Sequence, residues 1–150
     1  MSGQFAFDLA ASRAYLISRQ QRAYQVAEQL RQAALHAVYR AARLVLPRFP
    51  GVERAYVFGS VLRSGAMHAG SDIDIALEGR LSAEEYFALW RALESELSEW
   101  TVDLVELDQE VRFADRVREQ GALIYERSDS DMDVPNPAGA AGSTGRTGAV

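Results

Sequence analysis

The sequence predicts an α/β (α+β) fold: a small mixed sheet of three to four strands with flanking helices, preceded by a long N-terminal helix. Three observations predict it. Residues 9–46 contain no Gly or Pro and are rich in Ala, Gln, Arg and Leu, all good helix formers. Short apolar, β-branched stretches follow at 52–58, 72–77 and 101–107, as strands require. Helix-forming segments with definable starts and stops lie after the second and third of these.

Taken in order, Asp8 is placed to cap the first helix and Pro47 with Pro50-Gly51 to end it. Ala23, Ala27, Leu30, Ala34, Val38, Ala41 and Val45 recur at spacings of three and four and form one apolar stripe. The polar run Ser18–Gln21 is a point where the helix can break in two. Unbroken, it measures about 57 Å at 1.5 Å per residue. That is too long for the rest of the chain to cover, so part of it should project. Val52–Phe58 reads as a strand ended by Gly59-Ser60. Val61–Ser64 reads as one helical turn, stopped by Gly65, and 66–71 as a loop. In the strand from Asp72 to Leu77, Ile73, Ile75 and Leu77 share one face, and Asp72, Asp74 and Ala76 the other. Ser82 with Glu85 three residues on is a capping box. Its helix runs to about Ser98, burying Phe87, Leu89, Trp90, Leu93 and Leu97. A third strand, 101–107, precedes a helix over 109–120 that Asp108 caps and Gly121 ends. Ala122–Glu126 suits a short closing strand. The organisation expected is a helical extension over 1–50, a domain over 51–127 and a disordered tail over 128–150, where large apolar residues almost vanish.

Composition limits the chemistry. The chain has 150 residues and no cysteine, so disulfides and thiolate metal sites are excluded. His36 and His68 are the two histidines, too few for an ordinary zinc site. A metal here should be a hard cation held by oxygen, magnesium or manganese. Residues 1–50 hold seven Arg against Asp8 and Glu28, a net of +5, whereas 51–150 carry a net of −10. The acidic half argues against direct nucleic-acid binding. No apolar run approaches the roughly 20 residues of a membrane span, and Met1–Phe7 does not read as a signal peptide. A cytoplasmic location without membrane association is expected.

Asp72 and Asp74 leave the same face of a strand with Cα atoms about 6.6 Å apart. Two carboxylates that close repel unless a cation sits between them. Asp103 interrupts the apolar pattern of Val102, Leu104 and Val105, and points to the same place if its strand is a neighbour. Three such carboxylates are what a two-metal phosphoryl-transfer site needs. Gly59 allows a phosphate to approach the backbone, and the following N–H groups and the Ser60 hydroxyl can bind it. Arg63 adds charge one turn on. Singly, each feature has an ordinary structural reading: a turn, a solvated strand start, a surface arginine. His68 reads as a loop residue without a role, and Tyr56, Trp90 and Trp100 as packing residues. The conjunction, a strand ending in Gly-Ser, eleven residues, Asp-x-Asp, then a later Asp, is the specific signal.

The stretch YVFGSVLRSGAMHAGSDIDIAL, residues 56–77, resembles the signature of the polymerase β-type nucleotidyltransferase superfamily. TVDLVEL at 101–107 and ADRVREQGALIYER at 114–127 are similar to minimal nucleotidyltransferase (MNT) domains. The spacer before Asp72 is slightly long for the family, the extra residue falling in the Gly65–Gly70 loop. The resemblance implies that Gly59 and Ser60, with Arg63, grip a nucleoside triphosphate. It assigns Asp72, Asp74 and Asp103 to two magnesium ions (or manganese), with Asp103 also helping to deprotonate the acceptor. It implies ATP as donor and a partner that supplies the acceptor, since MNT domains lack an acceptor-binding half. Many such proteins are antitoxins of helical HEPN-domain ribonuclease toxins and adenylylate a tyrosine on them; the long basic N-terminal helix is the natural docking element. Two alternatives stay open: an antibiotic or small-molecule nucleotidyltransferase acting as a homodimer or other homo-oligomer, and a catalytically silent antitoxin that works by contact.

Overall fold

The computed structural model describes residues 8–128. The signal-peptide reading of Met1–Phe7 and, from residue 129 on, the tail lie outside the described residues.

One helix, α1 (Leu9–Val45), opens the fold. The Asp8 carboxylate caps it, accepting from the N–H groups of Ala10 and Ala11 at 3.0 and 3.1 Å. The polar run Ser18–Gln21 does not break it: Arg and Gln keep the backbone helical, and each neighbouring turn holds at least two strong formers. Four strands follow, β1 (Val52–Phe58), β2 (Asp72–Gly79), β3 (Thr101–Glu106) and β4 (Ala122–Glu126), ordered β3-β2-β1-β4 in one mixed sheet. β1 is antiparallel to both β2 and β4; β2 and β3 are parallel. A parallel pair needs a crossover, and α2 (Ala83–Glu96) supplies it. Both hydrogen bonds of the Ser82–Glu85 capping box are formed.

The alternation in β2 sorts the sheet into two faces. Ile73, Ile75 and Leu77 join Val38, Leu46, Leu89 and Leu93 in the main core, beneath α1 and α2. The opposite face is partly covered by α3 (Val111–Gln120), where Ala76 packs with Leu107, Ala114 and Val117. Glu78, buried on that face, accepts from Arg118 of α3 and, at 3.5 Å, from Arg54. Leu93 is 1% exposed; Leu93→Ala leaves a cavity and should lower stability by about 2–5 kcal/mol, read by urea unfolding.

Three expectations need correction. Asp108 does not cap α3: it lies in a separate 3₁₀ turn (Leu107–Gln109), and Glu110 precedes the helix without a side-chain cap. The turn after β1 begins at Gly59, not Val61. Phe87 is 51% exposed, because α2 turns Leu89 and Leu93 to the core and lets Phe87 stack on Trp90 at its edge.

α1 is divided lengthwise. From Ala27 onward its stripe is in the core: Ala34, Val38, Ala41, Ala42 and Val45 are at most 1% exposed. Upstream, Leu9, Tyr15, Leu16, Ile17, Tyr24 and Val26 are exposed, along about 27 Å of helix. Glu28 marks the transition, accepting from the Gly65 N–H at 2.8 Å and so tying α1 to the loop before β2. No helix among the described residues is long and apolar enough to cross a membrane.

Candidate active site

Strand register alone brings the predicted carboxylates together. Phe58 of β1 stands opposite Asp74 of β2, which stands beside Asp103 of β3. Paired residues in a sheet project from the same face, so this row of three lies on the α3 side of the sheet, with Phe58 against Phe113 of α3. Asp72 is on the same face two residues back, beside Thr101. Asp72 and Asp103 are open to solvent, and Asp74 is half-buried. The sequence-predicted triad is therefore on one face and at one end of the sheet.

Gly59 shapes the other side. Its φ is +80°, a left-handed conformation that side chains resist. A Cβ built there would stand 2.3 Å from Asp74 Oδ2. Gly59 and the Asp74 carboxylate are thus in direct apposition. Ser60 follows within the same 3₁₀ turn; its hydroxyl donates to the Met67 sulfur at 3.5 Å, a weak partner. Arg63 is exposed just after the turn and near enough to Asp74 to oppose its rise in pKa. His68 has a part after all: its Nδ1 accepts from the Gly70 N–H at 3.1 Å, and its own N–H donates to Ser71 Oγ at 2.9 Å. Those bonds set the loop that delivers Asp72.

Burial, then the charge of Asp103, then that of Asp72 push the Asp74 carboxyl above its ordinary range. Among the described residues, no three His, Asp or Glu side chains are gathered round a common point for an ion. Adjacent strands set the backbones of Asp74 and Asp103 only about 4.8 Å apart, so side-chain rotation is enough to close the set. Three carboxylates without nitrogen or sulfur donors suit a hard divalent cation.

The raised pKa has a testable sign. Protonated Asp74 stabilises the fold relative to ionised Asp74. That contribution is fully present below the unfolded pKa and lost as pH rises through the folded one. Asp74→Asn should therefore raise the melting temperature of the metal-free protein at neutral pH but not at strongly acidic pH. The variant should also lack any rise on adding magnesium or manganese; scanning fluorimetry with and without chelator reads both.

A cleft of about 370 Å³ adjoins Gly59, between the 3₁₀ turn and α3. Phe58 and Phe113, edge to face at 5.6 Å between centroids, form part of its wall. Arg63, Arg116 and Gln120 also line it. Sequence reasoning missed Phe113, Arg116 and Gln120. Their i, i+3 and i+7 spacing on α3 was the available signal, but it does not say which element the face meets. A larger cleft of about 500 Å³ lies along the outer side of β3, lined by Tyr86, Phe87, Leu104 and Glu106. It does not include the aspartates.

The family model for polymerase beta nucleotidyltransferases matches residues 43–130. Among solved structures, the chain is similar to one in a toxin-antitoxin with AMP-PNP (28% identity, covering 64% of this chain and 76% of that one, TM-score 0.48). It is similar also to a chain in the complex of a tri-AMPylated Shewanella oneidensis HEPN toxin with an MNT antitoxin (25%, 65% and 76%, TM-score 0.47). Among curated proteins, none matches.

Proposed function

Because this chain belongs to the polymerase beta nucleotidyltransferase family, we propose that it transfers AMP from ATP, with magnesium, to a tyrosine hydroxyl of a HEPN-type ribonuclease toxin and thereby acts as its antitoxin. One observation carries the catalytic part: the Phe58–Asp74–Asp103 row, with Asp72 beside it and Gly59 against Asp74.

Asp72, Asp74 and Asp103 are the residues that would hold magnesium. Bound there, magnesium would offset the charge of the three carboxylates, lower the pKa of the acceptor hydroxyl and offset charge on the leaving pyrophosphate. The chain's own groups do the rest. The Gly59 backbone admits the triphosphate, and the Ser60 hydroxyl and Arg63 bind its oxygens. The acceptor oxygen attacks the α-phosphorus while the bond to the α–β bridging oxygen breaks, and pyrophosphate leaves with that electron pair. Asp103, exposed on the open side, takes the hydroxyl proton. Asp74, half-buried, is the fixed member of the set.

The openness of Asp72 and Asp103 to solvent fits an acceptor that arrives on another chain. The exposed half of α1 is a fitting contact for that chain: Leu9, Tyr15, Leu16 and Ile17 stand among Arg13, Arg19 and Arg22 with no acidic residue between. It lies upstream of the residues that match the family model. A HEPN-type protein encoded beside this one should gain AMP on a tyrosine when mixed with the chain and magnesium-ATP, as read by peptide mass spectrometry. No AMP on the partner, with the complex formed, would leave only inhibition by contact. Deleting residues 8–22, which spares the buried half of α1 and the Tyr24 ring against Gly65, should weaken the complex at least about tenfold without lowering the melting temperature; undiminished binding would remove α1 from the interface.

A further inference from the structure

We infer that the cleft beside Gly59 takes the β- and γ-phosphates of the nucleotide and that Arg116 of α3 is a second cation binding them, with Arg63. This rests on the proposed nucleotidyl transfer and adds to it a binding residue outside the Gly-Ser and aspartate signature.

The placement follows from the two sides of Gly59. One side touches the Asp74 carboxylate, where the α-phosphorus must react. The other side lines the cleft. A triphosphate that crosses Gly59 from Asp74 therefore runs its terminal phosphates into that cleft. Its lining is suited to them: Arg63 and Arg116 contribute two guanidiniums, Gln120 an amide one helical turn beyond Arg116, and no carboxylate is present. Two guanidiniums sharing a space without an acid repel each other unless an anion joins them.

Three arginines elsewhere are held by acids. Arg31 is held by Glu28, Arg54 by Glu78 and Glu126, and Arg118 by Glu78 and Asp115. Arg63 and Arg116 have no ion-pair partner among the described residues and are exposed. Arg118, two positions on, is turned to the opposite side of α3 and occupied there, so the helix presents Arg116 alone to the cleft. The Phe58–Phe113 contact fixes α3 against the end of β1 and so holds Arg116 across from the Gly59 turn.

The test is calorimetric titration of the full chain with three probes: magnesium α,β-methylene-ATP, which cannot transfer AMP, magnesium pyrophosphate, and AMP. Arg116→Ala should weaken the first two about tenfold and leave AMP unchanged, with an unaltered melting temperature; Arg116→Lys should recover part of the loss. Should the alanine variant melt lower, Arg116→Gln carries the same comparison. Wild-type binding that Arg116→Ala does not weaken, or an equal loss for AMP, overturns the inference and leaves the proposed function standing. A wild-type chain that binds none of the three overturns both.

Discussion

Asp74→Asn should lower nucleotidyl transfer at least about a thousandfold, since losing a metal's charge stabilisation is worth several kcal/mol at about 1.4 kcal/mol per factor of ten. The substitution is nearly isosteric, so the loss is chemical. Asp74 is the central member of the row, with Asp103 beside it and Gly59 against it. It is also the half-buried member, so water replaces it least readily. Asp72→Asn and Asp103→Asn should each cost a large factor as well. Transfer of labelled AMP to the partner reads all three. Asp74→Asn activity within about tenfold of wild type would remove Asp74 from the chemistry.

Gly59→Ala should be nearly as damaging, by another route. The φ of +80° is a left-handed conformation costing a non-glycine residue roughly 1–2 kcal/mol. The new Cβ would also lie 2.3 Å from Asp74 Oδ2, so the carboxylate must turn away. Stability should fall by at least the strain, and transfer by about a hundredfold, the scale of a misplacement of about 1 Å at a reacting centre. Loss of transfer should persist at saturating ATP, because the displaced group is Asp74 as well as the phosphate loop. Ser60→Ala, in contrast, removes one hydrogen bond and should mainly raise the KM for ATP. Steady-state kinetics on both variants, beside their melting curves, separate the two effects; a Gly59→Ala variant with wild-type kcat would contradict the apposition.

The site was legible in the sequence where chemistry interrupts a pattern. Asp72 and Asp74 break the apolar face of a strand whose other face, Ile73, Ile75 and Leu77, is continuous. Asp103 does the same between Val102 and Leu104, and the parallel register of β2 with β3 brings it beside Asp74. The fold was legible for a related reason, since caps and periodicity are local: Asp8 and the Ser82–Glu85 box both act as caps. What local signals do not carry is which surface meets which. Phe87 has the apolarity of a core residue but sits at the edge of α2. Asp108 has the chemistry of a cap, yet the chain spends it in a 3₁₀ turn before α3 begins. Arg116 and Gln120 read as a solvated helix face until α3 is laid across from the Gly59 turn. The half of α1 that packs and the half that stays open both carry apolar residues and three arginines, and the extent of the sheet beneath them separates the two.

Crystals of the chain with manganese and α,β-methylene-ATP, measured at a wavelength where manganese scatters anomalously, test the central claim most directly. Manganese is expected in contact with carboxylate oxygens of Asp72, Asp74 and Asp103, and phosphate oxygens against the Gly59 and Ser60 backbone. Manganese bound elsewhere, or a nucleotide seated with Asp103 turned away from the ions, would contradict it.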